Sequence, residues 1–250
     1  MANKKGLNSS ALATALGLQQ ADLDRLLEGV LPITPTRAEK LSATVGASQR
    51  FWLARESQYQ QDRQALQEDA REWVSSLPLA DMRKFGWLGG EVPTAERLRR
   101  ALDFFGVSNV DEWRDAWLSE MAGVTAYRTS PAFASEAASV AAWLRQGDLL
   151  ASQIDTARWS RQAFERLLPT LKPLTRIREP SEFLPRLQSA CAACGVAVVV
   201  ARAPKGCPAS GATRVKDGHA KLQLSFRFLR DDSFWFTFFH EAGHLILHED

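Results

Sequence analysis

The segment from Phe234 to Leu247 constrains the fold of this chain more than any other stretch. Its residues are apolar at nearly every position of a helix, and a helix of that kind is buried in a protein core. The same segment contains His240, Glu241 and His244. Polar groups without partners are costly to bury, so these three side chains predict a site at which they are compensated.

His240, Glu241 and His244 form the pattern H-E-x-x-H. In a chain with four histidines, this pattern arises by chance in roughly four of a thousand sequences. Residues four apart lie on one face of a helix, so both imidazoles can reach a single metal ion. Glu241 borders that face and is suited to act as a general base toward water activated by zinc. The alternative is a pair of surface or hydrogen-bonded helix histidines without a metal.

His248 extends the same face of the predicted helix. It lies about 12 Å along the axis from His240, and one tetrahedral ion cannot be held by both side chains. We therefore expect His248 to support the site from outside the coordination sphere or to supply charge at the helix C-terminus.

The composition is that of an ordinary globular protein without a strong net charge. The 250 residues suffice for one large domain or two modest ones, and the formal net charge is +2. This charge does not draw the chain onto nucleic acid or membrane, so any DNA contact must come from a local patch. Three cysteines form no disulfide framework, no signal peptide follows Met1, and the apolar runs are too short for a membrane span. We expect a cytoplasmic protein without a membrane segment.

The first fifty residues predict a helix-turn-helix. A helix capped by Ser9 or Ser10 carries apolar residues three and four apart and is broken by Gly17. A second helix ends at Gly29, and a glycine-containing turn between two short helices is typical of this motif. Two further helices follow, the second from Phe51 to about Leu77.

The middle of the chain is predicted to be helical, and the last third mixes helix and strand. The β-branched run Val196–Val200 predicts a buried strand, and the alternation from Lys221 to Phe226 predicts a half-buried one. His219 falls in the polar loop between them. The predicted fold is mainly α with a small α+β C-terminal unit, in which a short sheet packs on the H-E-x-x-H helix. We place the helix-turn-helix head at residues 1–65, the helical middle at 66–165 and the α+β unit at 166–250.

The segment from Phe236 to His248 resembles the active-site helix of the ImmA/IrrE metallopeptidases. Residues 210–214 and 222–226 resemble the sheet that precedes this helix in the family, and residues 26–53 resemble the helix-turn-helix domain of HigA/VapI-type (Xre) regulators. The resemblance implies a cytoplasmic zinc endopeptidase, with His240 and His244 as zinc ligands and Glu241 as the catalytic base. It also implies a substrate that is a partner repressor or antitoxin-type regulator in phage, mobile-element or stress regulation.

The resemblance further implies a third, acidic metal ligand on a helix well beyond H-E-x-x-H, whereas this sequence ends at Asp250. Either the sequence is a truncated form or the third ligand comes from elsewhere. For a truncated form we expect residues 1–250 to be inactive alone and to associate through this helix. The apolar residues then expected to be uncovered are Phe234, Phe238, Leu245 and Ile246.

DNA contact is predicted from the second helix of the head, which offers Gln19, Gln20 and Arg25 on its outer side. Three acidic residues on the same helix oppose phosphates, and residues 1–53 contain six basic and four acidic side chains. A typical DNA reader is more basic. The alternative role of this head is a contact with a partner or with a second copy in a homodimer.

Two functions of different classes are consistent with these residues. The leading one is a zinc-dependent metallo-endopeptidase with a helix-turn-helix domain, which cleaves a repressor or antitoxin-type regulator. The alternative is a non-enzymatic DNA-binding transcriptional regulator or antitoxin with a degenerate or truncated peptidase tail. Cys191 and Cys194 add no third function, because a single pair at a helix end is best explained as small buried residues.

Overall fold

The computed structural model of the chain describes residues 8–118, 131–225 and 231–247. Contacts in space between residues divide the chain into two compact units, Met1–Ala70 and Arg71–Asp250. The described residues are mainly helical, and a small three-stranded sheet lies in the second unit. The predicted fold class, mainly α with a small α+β C-terminal unit, is therefore confirmed.

Short connections join most of the elements within the described residues. The helices are α1 (Ser9–Leu16), α2 (Gln20–Leu27), α3 (Pro35–Thr44), α4 (Gln49–Ser76), α5 (Leu79–Lys84), α6 (Arg97–Phe105), α7 (Val110–Trp113), α8 (Pro131–Ala151), α9 (Arg161–Leu167), α10 (Pro180–Ala192) and α11 (Asp231–Leu247). Two 3₁₀ stretches cover Thr94–Glu96 and Leu168–Arg176, and a π-helical turn covers Arg114–Leu118. The strands are β1 (Val196–Val200), β2 (Gly211–Lys216) and β3 (His219–Leu224).

The predicted pair of short helices at the start of the chain is confirmed. α1 ends at Gly17, whose φ of +64° is a left-handed conformation that glycine adopts without strain. The apolar residues of α1 and α2 then share one small core with α3. The helix cap differs from the prediction: the side chain of Asn8, not that of Ser9 or Ser10, accepts the hydrogen bond from the Ala11 N–H at 2.8 Å.

The C-terminal sheet agrees with part of the sequence prediction and corrects another part. β1 covers the predicted strand Val196–Val200. β3 begins at His219, so the prediction that His219 lies in a loop is wrong. The reason is the tight hairpin between β2 and β3: its turn is only Asp217-Gly218, with φ of +53° and +77°, the backbone that a two-residue hairpin requires. Phe226, the predicted last residue of the strand, lies outside the described residues.

The strand order is β1-β3-β2, with β1 parallel and β2 antiparallel to β3. Side chains alternate between the two faces of such a sheet. Helices α10 and α11 pack on one face and α8 packs on the other. The main core lies on the first face, where Val198, Leu222 and Phe238 are fully buried.

Gly195, at the point where α10 leads into β1, should tolerate no side chain. Its φ is +86°, and a Cβ at this position would lie 2.4 Å from the Cα of Trp159. Gly86 has a similar φ of +79° but open space around it, so Gly86→Ala should cost only the left-handed strain, about 1–2 kcal/mol. We expect Gly195→Ala to lower the free energy of unfolding by at least about 2 kcal/mol more than that.

Urea denaturation of the two glycine variants and the unchanged protein measures this difference directly. Equal losses in Gly195→Ala and Gly86→Ala would contradict the close approach of Trp159.

Candidate functional site

Helix α11 packs one side against the sheet and presents the other side to solvent. Its buried residues are Phe234, Trp235, Phe238, Ala242 and Leu245. Phe236 and Leu247 are 74% and 72% exposed, and His240 and His244 are exposed as well. The prediction of a helix buried all round is therefore wrong. Phe234, Phe238, Leu245 and Ile246, which were expected to be uncovered, are not. The first three are buried and Ile246 is half-buried, because α9 and α10 cover this side of α11 together with the sheet.

The structure brings His240 and His244 together, as the helical spacing predicts. Their Nε2 atoms are 3.1 Å apart, and their ring centroids are 4.7 Å apart with an interplanar angle of 84°. Two nitrogens bound to one tetrahedral zinc at about 2.0–2.1 Å lie about 3.3–3.4 Å from each other. The two imidazoles therefore have the separation that a shared zinc ion requires, to within a few tenths of an ångström.

The same separation also suits a hydrogen bond between the two rings. In that arrangement one Nε2 carries a proton and donates it to the other, whereas both Nε2 atoms must be unprotonated to bind a metal ion. The two arrangements exclude each other. Metal binding therefore distinguishes them.

Glu241 lies next to the histidine pair but points toward the sheet. It is only 9% exposed, and burial raises the pKa of its carboxyl group, while His244 and His240 act in the opposite direction. A carboxylate at the border of the imidazole pair can accept or return a proton without being a metal ligand. This is the place that the H-E-x-x-H pattern predicts for the acidic residue.

Gly211, the first residue of β2, determines how closely the sheet approaches Glu241. A Cβ on Gly211 would lie 2.5 Å from Cγ and 2.6 Å from Oε1 of Glu241. The backbone before it is fixed, because the N–H of Ser225 donates to the carbonyl of Ser210 at 2.9 Å. The resemblance places residues 210–214 in the sheet that precedes the helix, but it does not predict that Gly211 contacts Glu241; a glycine at the start of a strand is only a weak sign of such a close approach.

An open cleft of about 680 Å³ lies over the start of β2 and the adjoining part of α11. Its floor includes Gly211 and Glu241, and one wall is formed by Phe236 and His240 of α11. The ring of Phe236 stacks on that of His240, with centroids 6.1 Å apart and an interplanar angle of 14°. Phe236 lies one helical turn before His240, and its ring restricts the orientation of the imidazole. The cleft gives a substrate access to His240 and to Glu241.

Across residues 8–118, 131–225 and 231–247, no group of three or more His, Cys, Asp or Glu side chains could hold one metal ion. His248 and Asp250 lie outside the described residues. His219, which could approach the metal according to the sequence, lies at the other end of β3, about 17 Å along the strand from Leu224. Leu224 pairs with Gly211 beside the site, and the Nδ1 atom of His219 contacts Thr156 Oγ1 at 2.8 Å.

The three residues predicted to contact DNA are exposed at the start and along the outer side of α2. Gln19 precedes the helix as its N-cap residue. Gln20 donates hydrogen bonds to Ser9 and Asp24, and Arg25 forms an exposed ion pair at 3.3 Å with a neighbouring aspartate. Exposed ion pairs of this kind are weak, so Arg25 remains available to a phosphate or a base.

Cys191 and Cys194 are buried free thiols. Burial raises the pKa of Cys191 to about 12, with a further contribution from Cys194. Burial also raises the pKa of Cys194, although the neighbouring Arg166 acts in the opposite direction. Thiols of this kind are poor nucleophiles and poor metal ligands near neutral pH, which agrees with the structural role predicted for them.

Comparisons with known proteins give no match: no family model, no curated protein and no solved structure is significantly similar to this chain. Among the described residues, no helix is long and apolar enough to cross a membrane.

Replacing Gly211 by alanine should displace Glu241. The added Cβ overlaps the carboxylate, so we expect a loss of about 1–3 kcal/mol in the free energy of unfolding. Gly243→Ala is the matched control on α11 itself, because its Cβ would meet open space and alanine favours a helix by about 1 kcal/mol over glycine. Chemical denaturation of both variants tests this, and a Gly211→Ala protein as stable as Gly243→Ala would contradict the described contact.

Proposed function

We propose that this protein is a zinc-dependent metallo-endopeptidase. The observation that carries the proposal is the 3.1 Å separation of two Nε2 atoms on an exposed helix face, next to a buried carboxylate. His240 and His244 would hold the ion. When bound there, zinc would supply Lewis acidity, which lowers the pKa of water and polarises a carbonyl group.

The role of Glu241 in this reaction is to move a proton. One carboxylate oxygen accepts the proton of the attacking water, and the same group then delivers it to the departing amine. Gly211 allows the carboxylate to sit against the edge of the sheet. The ring of Phe236, stacked on that of His240, would help to hold the imidazole in place beside the cleft.

The position of β2 supports a peptide as the substrate. β2 is the last strand in the order β1-β3-β2 within the described sheet, so its outer edge has backbone groups that an extended peptide can pair with. The resemblance to the ImmA/IrrE metallopeptidases supports a cytoplasmic enzyme and a repressor or antitoxin-type regulator as its protein substrate.

DNA binding by the head, as a transcriptional regulator or antitoxin, is the second candidate function. It is favoured by the exposed Gln19, Gln20 and Arg25 on α2, after the left-handed turn at Gly17. An electrophoretic shift assay on the gene's own upstream region tests it independently of the peptidase.

The first test concerns the metal. The protein should bind about one zinc ion per chain through His240 and His244, and His240→Ala should abolish this binding. His219→Ala is the matched control, because His219 lies at the far end of β3. His248→Ala should also leave most of the zinc in place. Metal analysis after dialysis measures the bound zinc, and an unchanged content in His240→Ala would refute the assignment.

The second test separates the base from the ligands. Glu241→Gln should keep its zinc and lose peptidase activity by several orders of magnitude, because the amide has the size of the carboxylate but cannot take the proton. Cleavage of a candidate repressor is followed beside the zinc content. Loss of zinc in this variant would make Glu241 a ligand, and normal cleavage would exclude the proposed mechanism.

A further inference from the structure

The first compact unit of the chain has an open groove between the C-terminal end of α2 and the first turns of α4, which we call the α2–α4 groove. Its volume is about 380 Å³. The lining is largely apolar and includes Leu31, Ile33, Phe51 and Trp52. The groove lies entirely within residues 26–59, so it belongs to this unit alone.

Two hydrogen bonds hold the wall of the α2–α4 groove in place. The hydroxyl group of Tyr59 donates to the carbonyl of Gly29 at 3.3 Å, and the N–H of Ile33 donates to the carboxylate of Glu56 at 3.1 Å. Gly29 has a φ of +73°, and a Cβ on it would lie 2.2 Å from the hydroxyl oxygen of Tyr59. The loop after α2 is therefore fastened to α4. A groove that exists before its partner arrives lowers the entropic cost of binding.

Large apolar side chains are exposed around this groove. Leu27 is 68% exposed, and Val30, Phe51 and Tyr59 are exposed as well. These four are among the nine large apolar residues that are exposed in the described part of the chain. A cluster of exposed apolar residues on a soluble protein marks an interaction site.

The rim of the groove also has one acidic and one basic side chain, Glu28 and Arg55, both exposed. Within the residues that the structure describes, neither one forms an ion pair or a side-chain hydrogen bond. Glu28 lies at the C-terminal end of α2, where the helix dipole disfavours a negative charge. The basic residue of this last helical turn, Arg25, is paired with Asp22. A cation from a binding partner would therefore be stabilised beside Glu28.

We propose that the α2–α4 groove binds the same groove of a second copy of the chain, in a dimer with two-fold symmetry. Such an interface requires a surface that is complementary to itself. This surface meets the requirement in shape, because the exposed Leu27 borders a groove that can receive an apolar side chain. It also meets the requirement in charge, because Glu28 of each copy can pair with Arg55 of the other.

The dimer uses neither the histidine pair nor the residues of α2 that are predicted to contact DNA. Gln19 and Gln20 lie at the N-terminal end of α2, about 12 Å along the helix axis from the end that borders the groove. Dimerisation therefore requires neither zinc nor DNA, and it can fail or succeed independently of both proposed functions.

Sedimentation equilibrium of the full chain, with EDTA present so that no zinc ion bridges two copies, tests the dimer. We expect twice the mass of one chain and a Kd below about 10 μM. Leu27→Asp and Phe51→Asp should each weaken the dimer at least about tenfold, because each buries a charge without a partner. Phe236→Asp is the matched control: it makes the same change at the exposed phenylalanine of α11 and should leave the dimer intact. Thermal melting checks that all three variants are folded.

Charge reversal tests the symmetric pairing of Glu28 with Arg55. Glu28→Arg alone and Arg55→Glu alone should each weaken the dimer at least about tenfold, because each places like charges opposite each other twice. An equimolar mixture of the two variants should recover the dimer, since every arginine then faces a glutamate. Arg186→Glu, at an exposed position of α10, is the matched control and should dimerise as the unchanged protein does.

Three results would overturn the dimer. The first is a monomeric unchanged protein at about 100 μM, well above the expected Kd. The second is dimerisation of Leu27→Asp and Phe51→Asp as tight as that of Phe236→Asp, and the third is a mixture of the two charge variants that stays monomeric. Loss of the dimer in Phe236→Asp alone would place the interface on α11 and equally exclude the α2–α4 groove.

Discussion

The packing of one side of α11 on the sheet is the constraint on which the candidate site depends. Phe238 and Ala242 are fully buried on that side, and the helical period then leaves His240 and His244 on the exposed side. Glu241 lies between these two directions and is pressed against Gly211 at the edge of the sheet. A rotation of the helix that brought the ring of Phe238 into solvent would cost about 1.5–3 kcal/mol. It would also separate Glu241 from the sheet and change the positions of His240 and His244.

The sheet separates two chemically different surfaces. On the side of α11, its strands contribute apolar residues such as Val198, Leu222 and Leu224 to the main core. On the side of α8, β3 contributes Lys221 and Gln223, and the amide of Gln223 donates to the carbonyl of Trp143 at 2.6 Å. The two faces of the sheet therefore differ in chemistry: one packs against α11 through apolar side chains, and the other presents polar side chains such as those of Lys221 and Gln223 toward α8.

The sequence was informative where a pattern is set by local geometry. The i, i+4 spacing of His240 and His244 places both on one helix face whatever surrounds the helix, and the β-branched run of β1 specifies a buried strand. Contacts made between distant segments were not predictable. Nothing in the residues around Gly211 indicates that it touches Glu241, and the exposure of Phe236 contradicts the expectation drawn from its apolar neighbours. His219 was misplaced although a signal existed: Asp217-Gly218 is a typical two-residue hairpin turn.

Zinc-edge X-ray absorption of the zinc-loaded protein shows whether one ion is held by two imidazoles of α11. We expect nitrogen or oxygen neighbours at about 2.0–2.1 Å, with the outer-shell scattering of about two histidine rings. Sulfur neighbours at about 2.3 Å would place the ion on the cysteines instead. A shell of oxygen neighbours without imidazole scattering would equally contradict binding by His240 and His244.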